Sequence, residues 1–341
     1  MKRFLLALLW ALPVLASAQE NMTGAVIDSV SREALPYATV YVNGTTKGTI
    51  TDTSGLFELK NVNYPVDLVV SFVGYRTQVF HLTDNPGYLL VELKTNDKLP
   101  EVVITDYNER APIMRYFKRM LLGDDYWASN ATIRDEDVLM FEIEGSKLRA
   151  WATEPVIIDL PLLGYVLYLD LVSFEAEHVD GKDRCDMLGY FYYKLNNPNS
   201  KSKIRKIIKN RQKAFYNSSQ HFLKALYANR LEENGFVVSE VAKGDITVWD
   251  LKRNIVSVGD NRKQIRGLKD KRLIIEYYCE KDESPINLSV IIKPDYHNYI
   301  SEVLFLSDSC TFTQDGIVSD NSILFMGEIA EKRVAASLPA E

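Results

Sequence analysis

Gly24-Ala25-Val26-Ile27-Asp28, Pro36-Tyr37-Ala38-Thr39-Val40-Tyr41-Val42-Asn43-Gly44, Thr51-Asp52-Thr53-Ser54-Gly55-Leu56-Phe57-Glu58-Leu59 and Ser71-Phe72-Val73-Gly74-Tyr75 decide how the front of the chain folds. In the second piece Ala38, Val40 and Val42 fall on one face of a strand. Asn43-Gly44 follows as a hairpin signal, because both residues tolerate positive φ. Asp52 can accept from backbone N–H groups ahead of it, and Gly55 can take positive φ, so 52–55 reads as a turn. The nearly continuous apolar run 67–72 reads as a central strand, and 78–82 and 88–93 complete the set. About seven short strands at this spacing predict a β-sandwich.

The pattern Gly24-x-Val26-x-Asp28, Pro36-Tyr37-Ala38-x-Val40, Gly44-Thr45, Gly48-x-x-Thr51-Asp52-x-x-Gly55-x-Phe57 and Ser71-Phe72-Val73-Gly74-Tyr75 resembles the carboxypeptidase-regulatory-like domain. The resemblance implies a seven-stranded transthyretin-like sandwich. It also implies a setting in the Bacteroidota cell envelope, where the module extends starch-utilisation-type TonB-dependent receptors. The module is an accessory to peptidases, not the peptidase. A zinc peptidase needs His and Glu ligands at close spacing. The four histidines, 81, 178, 221 and 297, form neither H-x-x-E nor H-E-x-x-H. No metal, cofactor or catalytic residue is therefore assigned.

Residues 1–18 read as a secretory leader: Lys2-Arg3, an apolar core over 4–15, and Ala16-Ser17-Ala18 as the cleavage site. The expected location is exported, in the periplasm or at the outer membrane. Loss of Lys2 and Arg3 leaves a chain more acidic than the formal −6 of the whole, which argues against nucleic acid as a partner. Cys185, Cys279 and Cys310 are odd in number. Cys279 and Cys310 read either as facing strand residues or, with Cys185, as small buried hydrophobes.

The expected plan is a leader at 1–18, the sandwich at 19–93, a linker at 94–110 and a β-rich α+β domain at 111–341. Leu99-Pro100-Glu101-Val102-Val103-Ile104-Thr105 resembles the L-x-E-V-V-V segment behind the same sandwich in TonB-dependent receptors. The remaining length and its helical parts do not suit a receptor barrel. A helix is expected from Ala111-Pro112, and strands over 138–143, 147–151, 156–158, 165–174 and 185–195. Later strands are expected at 236–241, 272–279, 288–292, 300–306 and 323–325, with 252–271 as a polar loop or hairpin tip. The acidic run Asp135-Glu136-Asp137 reads as a solvated turn, and Glu142 with Glu144 as ordinary alternation.

Residues 187–231 contain no Asp or Glu. Lys201, Lys203, Arg205, Lys206, Lys209, Arg211 and Lys213 crowd within that stretch, and Ile204, Ile207, Ile208, Gln212 and Phe215 give it helical spacing. This basic helix, 201–213, reads as a contact for anionic lipid or lipopolysaccharide, or as a solvated face. Arg211 to Leu226 and Glu233-Asn234-Gly235-Phe236 resemble the Y-G-S-x-x-H-F-L-R-x-L…E-G-F segment of Bacteroidota proteins that join this sandwich to an uncharacterised domain. Asn217 and Lys224 stand where that pattern has Gly and Arg. His221 is expected to be structural. Ser200-x-x-Lys203 and Ser319-Asp320-Asn321 match two motifs of penicillin-recognising enzymes, but the K-T-G element is absent. The functional expectation is a non-catalytic envelope protein that binds an envelope protein partner, a glycan or a lipid head group. The alternative is an envelope hydrolase with its site in the second domain.

Overall fold

The computed structural model describes residues 20–96, 107–179, 182–196, 198–242, 245–259, 261–289, 296–318 and 322–340. The leader expected at 1–18, the 99–105 segment and Ser319-Asp320-Asn321 lie outside these residues. The first part holds β1 (Glu20–Asp28), β2 (Thr39–Val42), β3 (Gly48–Ile50), β4 (Leu56–Val62), β5 (Val66–Ser71), β6 (Gln78–Leu82) and β7 (Tyr88–Leu93). One sheet has the order β4-β1-β7, with β1 parallel to β7. The other runs β3-β2-β5-β6, all antiparallel. Met22, Val26, Phe57, Leu59 and Val91 meet Val40, Val42, Leu68 and Val70 between the sheets. This is the expected seven-stranded sandwich.

The motif residues build its turns. Asp52 Oδ1 accepts from the N–H groups of Ser54 (2.8 Å) and Leu56 (3.0 Å). Gly55 has φ +73°, and a Cβ there would sit 2.7 Å from the Val26 carbonyl, so only glycine fits. Asp28 accepts from the N–H groups of Val30 and Ser31 and from the Tyr75 hydroxyl at 2.8 Å. These bonds, led by the one from Ser31, hold its carboxyl below the usual range. Thr51 is buried and bridges the Leu35 carbonyl and the Ala38 N–H.

The second part opens with α1 (Tyr107–Leu122) and continues through β8 (Thr132–Ile133), β9 (Leu139–Glu144), β10 (Lys147–Ala152), β11 (Val156–Leu160), β12 (Tyr165–Val179) and β13 (Lys182–Leu195). Pro112 lies inside α1 rather than in its first turn, because the helix starts earlier than expected. β12 is long enough to pair with β11 and then β10 on one edge, while β13 runs along the whole of the other. Phe117 of α1 packs on Phe141 and Phe174 in the core beneath this sheet.

The third part holds α2 (Lys201–Phe215), α3 (Ser219–Tyr227), β14 (Phe236–Ala242), β15 (Asp245–Val248), β16 (Ile255–Ser257), β17 (Arg262–Arg266), β18 (Arg272–Cys279), β19 (His297–Phe305), β20 (Ser309–Thr313), β21 (Ile323–Gly327) and α4 (Glu328–Glu331). A five-stranded sheet, β15-β14-β18-β19-β21, and a three-stranded sheet, β16-β17-β20, enclose a separate core with α3. The polar stretch 252–271 is more ordered than a loop. It forms the β16–β17 hairpin, and buried Ile265 and Leu268 anchor it. Of the strand expected at 288–292, residues 288–289 form a turn and the rest lie outside the described residues.

Residues 328–340 stitch the parts together. Ile329 is buried in the third core, and its N–H donates to Ser301 Oγ at 3.0 Å. Lys332 Nζ donates to the carbonyls of Lys213 and Tyr216, at the carboxyl end of α2. Arg333 donates to the Met120 carbonyl in α1. Val334, Ala335 and Ala336 enter the second core. The Ala340 N–H then donates to the Gly44 carbonyl of the sandwich at 2.7 Å.

Candidate binding surfaces

Three places expose or enclose unusual chemistry. The first is the seam between the sandwich and the β12–β13 hairpin. Tyr41 of β2 is buried, although it points away from the sandwich core, because the hairpin covers it. Its hydroxyl donates to Asp170 of β12, and Ser71 Oγ donates to the other Asp170 oxygen at 2.9 Å. Desolvation pushes the Asp170 carboxyl above its ordinary range, and the two hydroxyl bonds oppose that shift. The Tyr192 ring lies 5.5 Å from Tyr41 and 5.7 Å from Tyr168. Backbone bonds extend the seam: Gly44 N–H to the Phe191 carbonyl (2.7 Å) and Tyr193 N–H to the Thr45 carbonyl (3.0 Å). Sequence reasoning missed this cluster. Its signal was Asp170, the lone acid in the run Tyr165-Val166-Leu167-Tyr168-Leu169-Asp170-Leu171.

The second is a cleft of about 1340 Å³ where the three parts meet. Its lining includes the β13 residues Asp183, Arg184, Cys185, Asp186, Met187 and Gly189. Opposite them stand Ile300, Leu304, Leu324 and Met326, from the outer face of the five-stranded sheet. Among the described residues β12 is the only strand paired with β13 over 183–189, so the other backbone edge of that stretch carries no strand. Farther along the same edge, Gly44 and Thr45 already bond to it.

The third is α2. Its buried face is Ile207, Asn210 and Ala214, not the full apolar stripe expected. Asn210 and Arg211 donate to the carbonyls of Leu162 (2.9 Å) and Leu163 (2.8 Å), and the Arg211 guanidinium lies over the Tyr165 ring. Ile208 points outward and is 51% exposed. The difference arises because the β11–β12 turn offers carbonyls to the helix, so polar donors occupy the buried face. Among the described residues no helix is long and apolar enough to cross a membrane.

The residues singled out in the sequence are not drawn together. His221 is buried among Phe215, Tyr216, Phe236 and Tyr277. Its Nδ1 accepts from the Asn217 N–H and its Nε2–H donates to Asn234 Oδ1, both at 3.3 Å, the tautomer following from these partners. Burial pulls its pKa down to about 4. Asn217 has φ +51°, a left-handed turn conformation that glycine adopts as readily. Lys224 stands 4.0 Å from Asp315, and Ser218 caps α3 through the His221 N–H. No disulfide joins the three cysteines: Cys279 and Cys310 are buried on separate sheets, and Cys185 is half-buried on β13. Glu142 and Glu144 both approach Arg149, and Glu136 pairs with Lys118. Among the described residues no group of three metal-binding side chains forms. Tyr190 to Tyr193 alternate between the sandwich seam and the second core, so packing accounts for that run.

The chain is similar to the TonB-dependent receptor SusC of Bacteroides thetaiotaomicron, with 29% identity over 130 residues. That stretch covers 38% of this chain and 13% of the receptor, so the chain spans a small part of the relative it matches. The family model of the CarboxypepD_reg-like domain matches residues 22–104, from β1 past the boundary expected at 93. Within that range Asp28, Thr51, Asp52, Gly55 and Tyr75 serve turns and the hydrogen bonds that brace them. Residues 22–104 of this chain are a carboxypeptidase-regulatory-like domain.

Proposed function

We propose that the chain is an exported, non-catalytic envelope protein that docks an extended segment of an envelope protein partner in the cleft. The observation that carries this reading is the β13 edge. Among the described residues its 183–189 backbone carries no second strand, and it faces the apolar residues Ile300, Leu304, Leu324 and Met326 across the cleft. An extended peptide added there would gain main-chain bonds from the edge and side-chain contacts from the opposite wall. The sandwich already uses the neighbouring stretch of that edge in this manner, through Gly44 and Thr45. In this reading the sandwich is a built-in brace, and 107–340 forms two further units, each with its own core. Export and envelope residence are supported by the leader pattern at 1–18 and by the similarity to a TonB-dependent receptor.

The test is photo-cross-linking in living cells, with a benzophenone side chain at Arg184, at Ile300 or at the distant, exposed Val30. A common partner captured from positions 184 and 300 and absent at 30 supports the cleft. The same proteins at all three positions, or none at 184 and 300, defeats it.

A further inference from the structure

The basic helix α2 shows two rows on its outward side. Lys201, Arg205 and Lys209 succeed one another at four-residue spacing, so they rise along one line over about 12 Å. Ile204 and Ile208 form a second row on the shoulder of the first, and Ile208 is open to solvent. Lys203 and Lys206 add exposed charge. Among the described residues no carboxylate stands within ion-pairing distance of Lys201, Lys203, Arg205 or Lys206. Glu283 pairs with Lys213, and Asp282 feels the charge of Lys209, toward the carboxyl end of the helix. A protein with a formal charge of −6 has thus gathered unpaired positive charge on the first two turns of one helix.

We propose that this outward face of α2 docks on the surface of an anionic lipid bilayer. The basic row would meet lipid phosphates, and Ile204 with Ile208 would enter the boundary between head groups and acyl chains. A purely solvated face would not need an exposed Ile208, with half-buried Ile204 one turn before it, beside the charges. A soluble phosphate ligand would call for convergent donors, whereas this row is linear and convex. The inward face cannot take part, because Asn210 and Arg211 are bound to the β11–β12 turn. The proposal is independent of the cleft, which lies elsewhere and needs no lipid.

The experiment is sedimentation of the purified chain lacking its leader with vesicles of phosphatidylcholine, with and without phosphatidylglycerol. Each basic side chain near such a surface contributes about fivefold in partitioning. The triple variant Lys201→Gln/Arg205→Gln/Lys209→Gln should lower retention on phosphatidylglycerol vesicles by on the order of a hundredfold. Ile208→Ser should lower it several-fold, and that loss should persist in about 0.5 M salt, where charge attraction is screened. The control Lys94→Gln/Lys252→Gln/Lys269→Gln removes the same charge from exposed positions elsewhere and should change retention little. No retention of the parent chain on anionic vesicles overturns the proposal. An equal loss in the control triple does so too, since net charge alone would then act. Unchanged melting temperatures are expected for all the variants, because every altered side chain is solvent-exposed.

Discussion

The Tyr41 hydroxyl of the sandwich donates to the Asp170 carboxyl of the long hairpin, and Ser71 donates to the second oxygen of the same group. No cation supports this carboxyl among its described partners; two hydroxyls hold it. Asp170→Ala leaves both hydroxyls buried without an acceptor, and each such group costs about 1–3 kcal/mol. Asp170→Asn keeps an acceptor and should cost less. The sign of the pH effect follows from the raised carboxyl pKa. The folded state holds the proton more tightly than the unfolded chain, so this group's contribution is greatest below the ordinary aspartate range. It declines as pH rises from that range to the folded pKa. Melting curves of the parent and Asp170→Asn should therefore diverge in the parent's favour as pH falls, and an offset constant with pH would rule this out.

Gly48 of β3 gives the seam a second point of test. A Cβ there would lie 2.6 Å from the Tyr192 ring, which is held between Tyr41 and Tyr168. The ring has little room to move, so Gly48→Ala should act as overpacking and cost about 1–3 kcal/mol. Hydrogen exchange should report faster opening at Phe191 and Tyr193, whose backbone groups bond to the 43–45 loop. Exchange in the core of the sandwich, around Val40 and Leu68, should stay level.

The sandwich was legible because its signals are local. Asp52 and Gly55 sit in one turn, and Val40 and Val42 alternate on one strand. What the local pattern concealed was burial on the second face. Tyr41, Val69 and Ser71 are inaccessible because residues about 100 positions away cover them. The same limit explains α2. Helical spacing put Ile208 in the apolar stripe of the helix, but the β11–β12 turn presents carbonyls, and Asn210 rather than Ile208 meets one of them. The 252–271 stretch reads as polar because its strands are short and half-buried or exposed, with Ile265 as the inward anchor. The cleft was not legible at all, since its walls come from segments that only the tertiary fold brings together.

His221 should behave as a neutral core residue. Its pKa falls to about 4, so the folded state resists protonation that the unfolded chain accepts near 6.5. Its contribution is complete above about pH 6.5 and is lost as pH falls toward 4. This is opposite in sign to the Asp170 effect. His221→Ala should cost about 3 kcal/mol, by analogy with other buried rings cut to alanine. His221→Phe should fit the aromatic surround but strand the Asn217 N–H and Asn234 Oδ1, for a loss of about 1–3 kcal/mol. Denaturant melts of His221→Phe should also lack the parent's decline between pH 6.5 and 4. A decline of equal size in the variant would place that proton elsewhere.

Residues 328–340 should behave as a structural member rather than an appendage. Removing them takes Ile329 from the third core and Val334 with two alanines from the second. Each large apolar side chain contributes about 1.5–3 kcal/mol by burial. It also strips α1 of Arg333 and α2 of the Lys332 ammonium that caps its carbonyls. The total is on the order of 5 kcal/mol, comparable with the whole stability of a domain. A chain ending at Gly327 should therefore lose cooperative folding in 107–327, while the sandwich, which gives up only the Ala340 bond to Gly44, should keep its protected core. Limited proteolysis separates the two outcomes. Survival of a fragment near 20–96 alone is expected, and an intact, resistant 107–327 would show that residues 328–340 are dispensable.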